Sequence, residues 1–228
     1  MPRKKNLVFE RKIRYTKKTN LQKFILKGLI FMMTLRFATP QDAKQILDIY
    51  APYITDTSIT FEYDIPPLDQ FTERIVNITR RLPWLVCEED GQIIGYSYAS
   101  PHLTRAAYQW DAELSVYTRQ GHHRKGVGRK MYSALISLLR EQGYYNLYAL
   151  VTLPNEKSMG FHHSMGFSTV GIYPRTGFKL GAWCDMAILE LALHEEFGTP
   201  APLKTVHELT PEQIETALHP EPCLIGAK

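Results

Sequence analysis

The residues best suited to chemistry lie between Glu113 and Arg129. Leu114 and Val116 alternate as on a strand, and Gly121, Gly126 and Gly128 then punctuate a basic run that holds Arg124 and Lys125. Val127, Met131, Leu135, Leu138 and Leu139 follow on one helical stripe. Strand, glycine-rich turn and helix start together can hold a phosphate. Glycine lets the backbone come close, the first helical N–H groups have no helical partner, and the dipole favours an anion there. The run lacks the GxxxxGK[ST] of a Walker loop, and Gly126-Val-Gly128 lacks the third glycine of a dinucleotide fingerprint. Glu113, at the head of this segment, reads in two ways. It is a general base, or it is a strand carboxylate that is solvated or paired with Arg105. His162 and His163 sit on a short helical pattern whose start, Asn155, reads as an N-cap. Adjacent helical side chains diverge by about 100°, so only one of the two faces a cleft. The pair reads as an acid–base group, a surface pair or an adventitious metal site.

Elements must carry these residues. Leu35–Thr39 reads as a strand, and Thr39-Pro40-Gln-Asp42 as a helix start for Ala43, Ile46, Leu47, Ile49 and Tyr50. Residues 55–67 read as a loop containing Phe61, and 68–81 as a second helix with Phe71, Ile75 and Ile78 on one face. Trp84–Glu88 and Ile93–Ala99 flank Asp90-Gly91, a strong hairpin signal. A loop at 101–109 leads to a strand at 110–118, a helix at 126–142 and a strand at 144–152. The helix at 155–165 and strands near 167–173 and 183–192 complete the body. Alternating strands and helices after a hairpin predict an α/β domain on a mixed sheet.

Composition limits the classes open to the chain. It has 228 residues, and residues 1–33 hold ten of its 27 Lys and Arg but only one acid, Glu10. The remainder is mildly acidic, so the net +4 does not signal nucleic-acid binding. Three separated cysteines without CxxC fit a reducing cytoplasm better than a disulfide or zinc framework. No run of about 18 apolar residues suggests a membrane span. Three regions are expected: a basic extension at 1–33 that the fold does not need, a domain at 34–193, and a Pro-rich tail at 194–228 with one short helix capped at Thr210.

The turn His123-Arg-Lys-Gly126-Val-Gly128 resembles motif A of the GNAT acetyltransferases, with His123 where that motif has Gln or Arg. Within that superfamily the chain resembles the group acting on phosphinothricin, methionine sulfoximine and methionine sulfone. The matching segments are Ser58–Glu62, Arg105–Tyr117, Leu153–Glu156, His162–Phe167 and Gly177–Asp185. The resemblance implies a mixed α+β fold: a twisted sheet of about six or seven strands, about four helices and a splayed central strand pair. Acetyl-CoA is the implied co-substrate. Val116, Tyr117 and Thr118 would meet its pantetheine arm, as would Asn155. The amides of Arg124, Lys125, Gly126, Val127, Gly128 and Arg129 would take its pyrophosphate.

The resemblance further implies that Glu113 is the base and that His162 protonates the departing thiolate or assists the base. Phe61, Arg105 and Tyr108 would bind the acceptor, a small amino acid or analogue, without any metal. Cys184 replaces a histidine common in the family. Direct attack in a ternary complex, a cytoplasmic homodimer, and neither nucleic acid nor membrane as partner complete the expectation. The alternatives are another amine (a peptide N-terminus, polyamine or aminoglycoside) or a non-catalytic acyl-CoA-binding module.

Overall fold

Asp90 and Gly91 both adopt positive φ, 52° and 76°. That is the type I′ geometry matching the twist of two hairpin strands. Around this hairpin the computed structural model describes residues 33–122 and 126–219. In chain order it contains β1 (Thr34–Phe37), α1 (Ala43–Asp56), α2 (Leu68–Thr79), β2 (Trp84–Glu89), β3 (Gln92–Pro101) and β4 (Asp111–Thr118). There follow α3 (Val127–Gln142), β5 (Asn146–Leu153), α4 (Glu156–Ser164), β6 (Ser168–Lys179), β7 (Ala182–Ala192) and α5 (Pro211–Leu218). The strands form one sheet in the order β1-β2-β3-β4-β5-β7-β6. Among the described residues only β4 and β5 pair in parallel.

Register decides which side chains share a face. Trp84 lies opposite Tyr98, Tyr98 opposite Ser115, Tyr96 opposite Tyr117 and Ser100 opposite Glu113. Glu113 therefore lies on the face that carries Trp84, Tyr96, Tyr98 and Tyr117. Helices α1 and α2 cover much of it: Tyr50 meets Tyr117 edge-on at 4.9 Å, and Phe71 meets Trp84 at 6.1 Å. Helix α3 packs on the opposite face, where Gly95 makes room. A Cβ there would lie 2.9 Å from Met131 and 3.1 Å from Val127. The whole predicted stripe of α3 is buried, each such side chain contributing roughly 1.5–3 kcal/mol.

Caps set the helix boundaries. The Thr39 N–H donates to Asp42 at 2.8 Å ahead of α1. Gly126 (φ 80°) and Gly143 (φ 95°) bracket α3 in left-handed conformations that favour glycine. At α4 the Asn155 side chain accepts the Ser158 N–H at 3.1 Å, as an N-cap does. Two expectations change. The strand expected to stop near 173 continues to Lys179 across a register break between Tyr173 and Gly177. The region expected as a tail is docked as far as it is described. Trp110 donates to the Ala201 carbonyl, Gln142 to those of Arg81 and Lys204, and Ala217 and Leu218 of α5 are buried. The extension at 1–32, and residues 220–228, lie outside the described residues.

Candidate active site

The parallel register of β4 and β5 has three rungs and ends at Glu113 opposite Tyr148. Beyond it, β4 keeps β3 as neighbour as far as Thr118, and β5 keeps β7 as far as Leu153. The two strands part at Glu113. Strand edges present N–H and C=O groups to whatever enters such a gap. Val116, Tyr117 and Thr118 run along one side of it. Tyr117 packs among Tyr50, Tyr53 and Tyr96, and the Thr118 carbonyl accepts the Tyr53 hydroxyl at 2.7 Å.

The start of α3 stands close to this strand. Its first i→i−4 bond runs from Lys130 N–H to the Gly126 carbonyl at 2.9 Å. The N–H groups of Val127, Gly128 and Arg129 precede it, where the helix has no partner for them. A Cβ on Gly128 would lie 3.7 Å from Phe161 of α4 and 4.0 Å from Val116. The helix start is thus fitted between β4 and α4. Val127 is core, and the Arg129 guanidinium is tied to Ser164 at 2.8 Å at the C-terminal end of α4. Arg124 and Lys125 lie outside the described residues.

Glu113 is part-buried, and burial raises its carboxyl above the ordinary range, partly opposed by His102. Its Oε2 lies 3.5 Å from His102 Nδ1, so its ionic neighbour is His102 and not Arg105. The His102 ring stacks on Tyr148 at 4.1 Å, and the Tyr148 hydroxyl donates to Glu190 at 2.7 Å. His162 faces inward and His163 outward. Nδ1 of His162 lies 2.8 Å from the Ser158 carbonyl, which can only accept, so Nδ1 carries the proton. Nε2 lies 3.0 Å from the Tyr132 hydroxyl, and in the neutral ring it accepts that proton. Burial pushes the imidazole below its usual pKa, which favours this neutral form. His162 thus has both nitrogens engaged within the fold, one of them at the Tyr132 hydroxyl.

Phe61 rides on a loop pinned from two sides. Its ring occupies the place a Cβ on Gly177 would take. Buried Lys179 donates to the Thr60 carbonyl at 2.6 Å, and Tyr63 donates to the Phe178 carbonyl. Glu62 receives Arg74 at 2.6 Å and the Tyr50 hydroxyl at 3.1 Å. Arg105 and Tyr108 are exposed on a turn between β3 and β4, the two strands whose ends meet near Glu113. The structure gathers Glu113 with His102 and Tyr148, and separately His162 with Tyr132. It leaves Arg105 and Tyr108 at the rim. Sequence reasoning missed His102, Tyr148 and Tyr132. His102 lies just past the end of β3, two residues beyond the register partner of Glu113, a relation that only the strand pairing shows. Cys184, in the position of the family histidine, is buried with its thiol toward the Ala182 carbonyl at 3.9 Å. Among the described residues no cluster of His, Cys, Asp or Glu could hold a metal ion, and no helix is long and apolar enough to cross a membrane.

Known proteins resemble this chain in sequence and fold. A phosphinothricin N-acetyltransferase of Streptomyces viridochromogenes is 31% identical over 176 residues, covering 77% of this chain and 94% of that one. An L-methionine sulfoximine/L-methionine sulfone acetyltransferase of Salmonella typhimurium is 31% identical over 180 residues, covering 74% and 99%. The crystal structure of a phosphinothricin acetyltransferase of Sinorhizobium meliloti in complex with acetyl-CoA aligns with a TM-score of 0.71 at 30% identity, covering 74% of this chain and 93% of that one. The acetyltransferase (GNAT) domain model matches residues 35–188. With the strand split, the glycine-capped helix start and these relatives in agreement, the chain belongs to the GNAT family of acetyl-CoA-dependent N-acetyltransferases.

Proposed function

We propose that this enzyme acetylates the amino group of a small amino acid or analogue, of the kind its relatives are named for: phosphinothricin, methionine sulfoximine and methionine sulfone. The observation that carries the reading is the part-buried Glu113 carboxylate at the last rung of the β4–β5 pair. An amine attacks a thioester only after losing a proton, and a carboxylate with raised proton affinity beside the reacting carbon suits that task. The amine nitrogen bonds to the acetyl carbon, its proton passes to Glu113, and the C–S bond breaks to release the thiolate. Attack is direct. Cys87 is fully buried and burial pushes its thiol to about 11, while Cys184 is also buried, so neither suits an acetyl-cysteine step; Cys223 lies outside the described residues.

Phe61 forms a fixed wall for the acceptor's short aliphatic chain. Arg105 forks onto its carboxylate or phosphinate, and Tyr108 adds a hydrogen bond. The Val116–Thr118 strand, Asn155 and the turn at 124–129 serve acetyl-CoA. His162 acts through the Tyr132 hydroxyl that it holds. The enzyme works in the cytoplasm as a homodimer. Exposed Ile172, Tyr173, Phe178, Leu180 and Trp183 on the β6–β7 hairpin supply an apolar surface for the second copy.

The test is a panel of amines assayed by free-thiol release from acetyl-CoA. Turnover with methionine sulfone and phosphinothricin well above that with a peptide N-terminus, polyamine or aminoglycoside is the expected result. The reverse order would overturn the acceptor assignment.

A further inference from the structure

We infer that His102 is a positioning residue for Glu113: its ring, held flat against Tyr148, presents Nδ1 to Oε2 and leaves Oε1 for the acceptor amine. The inference rests on Glu113 being the base. Three observations support it. His102 follows directly on β3, whose Ser100 is the register partner of Glu113, so the backbone delivers the imidazole to the strand split. Its ring is parallel to Tyr148 within 12° at 4.1 Å, and Tyr148 is itself the parallel-register partner of Glu113 and is fixed by its bond to Glu190. Finally, Nδ1 is buried without a hydrogen-bond partner and lies 3.5 Å from Oε2. A buried nitrogen aimed at a carboxylate calls for an explanation. Contacts of this kind run long in unliganded enzymes and tighten when substrate binds.

The chemistry follows from the donor set. With the proton on Nδ1, the imidazole donates toward Oε2 and favours the ionised carboxylate, which burial alone would disfavour. During transfer the amine proton passes to Oε1, while the His102 proton stays on the Nδ1–Oε2 axis. The other groups around Glu113 are Tyr98 on β3, Tyr148 on β5 with Glu190 on β7, Tyr132 on α3, and Asp111 on the same face of β4. Burial holds the three tyrosine hydroxyls above their ordinary range, so they keep their protons where the carboxylate titrates.

The experiment compares wild type, His102→Phe, His102→Gln and Glu113→Gln in the full chain. Phe keeps a flat ring against Tyr148 without a nitrogen, and Gln keeps an N–H donor without a titratable charge. Two quantities are read: kcat/KM against pH with methionine sulfone and acetyl-CoA, and the 13C NMR titration of the Glu113 carboxyl. In His102→Phe the carboxyl titration moves to higher pH and kcat/KM on the acid side falls roughly three- to tenfold, while His102→Gln, which keeps a donor, stays nearer wild type in both. The alkaline plateau of kcat falls about threefold in His102→Phe and is retained within about twofold in His102→Gln, the split expected of a positioning donor. Titrations and profiles superposable on wild type in both variants overturn the inference. The carboxyl titration needs no turnover, so the pair is tested even if Glu113→Gln stays active, a result that removes the base assignment alone. If His102→Phe does not fold, the titration of His102→Leu, which also lacks the donor, decides.

Discussion

A carboxylate serves as a base only while ionised, and Glu113 sits where burial resists ionisation. With Glu113 as the proposed base, turnover is expected to fail as pH falls, with the acid limb of kcat/KM lying above the ordinary carboxylate range. Glu113→Gln, similar in shape but unable to take the proton, is expected to lower kcat by about 10²–10⁴-fold with acetyl-CoA KM little changed. Steady-state kinetics with methionine sulfone check this. His162 raises a different expectation because both its nitrogens are committed within the fold. His162→Ala strips the buried Tyr132 hydroxyl of this partner and opens a void, so stability should drop by about 2–4 kcal/mol in urea unfolding. Acid should also weaken the wild type through this residue. Its pKa is lowered in the fold, so the unfolded chain binds the extra proton more readily, and stability declines as pH falls below about 6.5. At this scale the sequence was informative about residue type and poor about partners. Asn155 could be read as a cap because its partner, Ser158, is three residues away. His102 and Tyr132 could not be assigned, because Glu113 and His102 meet through strand register, and His162 and Tyr132 through packing between two helices.

The elements that local chemistry dictates were the ones legible in advance. Asp90-Gly91 closes its hairpin with both residues at positive φ, and Gly126 and Gly143 end α3 where the apolar stripe ends. The kinked course of β6 was not legible. Arg175 takes φ 49° with its N–H on Asp185 at 2.7 Å, and this reach to β7 lets the strand resume at Gly177. That resumption matters because it brings Gly177 under Phe61. Gly177→Ala would force the ring away and loosen the proposed acceptor wall, so acceptor KM should rise about tenfold while acetyl-CoA KM stays near wild type. Gly126→Ala should do the converse. No side chain is near enough to obstruct a Cβ there, but φ of 80° costs a non-glycine residue roughly 1–2 kcal/mol. The helix start would shift and acetyl-CoA KM would rise several-fold, with kcat largely kept. Separate KM titrations of the two substrates distinguish these outcomes.

For the whole molecule, the informative feature is what holds the far end of the sheet, away from the α3 start. The segment after β7 crosses there, and it joins elements distant in sequence. Leu193 N–H bonds to the Tyr145 carbonyl, Lys204 N–H to that of Gln142 and Val206 N–H to that of Arg81. The buried Gln142 amide bridges the Arg81 and Lys204 carbonyls, and Gln213 of α5 reaches Glu141 on α3 at 2.6 Å. Val206, Leu209, Ala217 and Leu218 supply buried apolar surface. A Pro-rich stretch reads as a tail because prolines mask periodicity, yet its remaining backbone groups and a few apolar anchors suffice to bind it. Ending the chain after Leu193 would remove the Ala201 acceptor from Trp110 and the Lys204 acceptor from Gln142, and would expose the α3 surface beneath α5. Tm should then fall by on the order of 10 °C. Removing residues 1–33, proposed as dispensable, should leave Tm and turnover unchanged. The C-terminal cut should also leave both KM values near wild type below the transition, since none of the bonds described for the segment reaches Glu113, Phe61 or Gly126. Thermal unfolding of the two truncations beside their kinetics at low temperature tests this. Loss of turnover in the C-terminal truncation while it remains folded would mean that the segment shapes the site through Trp110, three residues before Glu113.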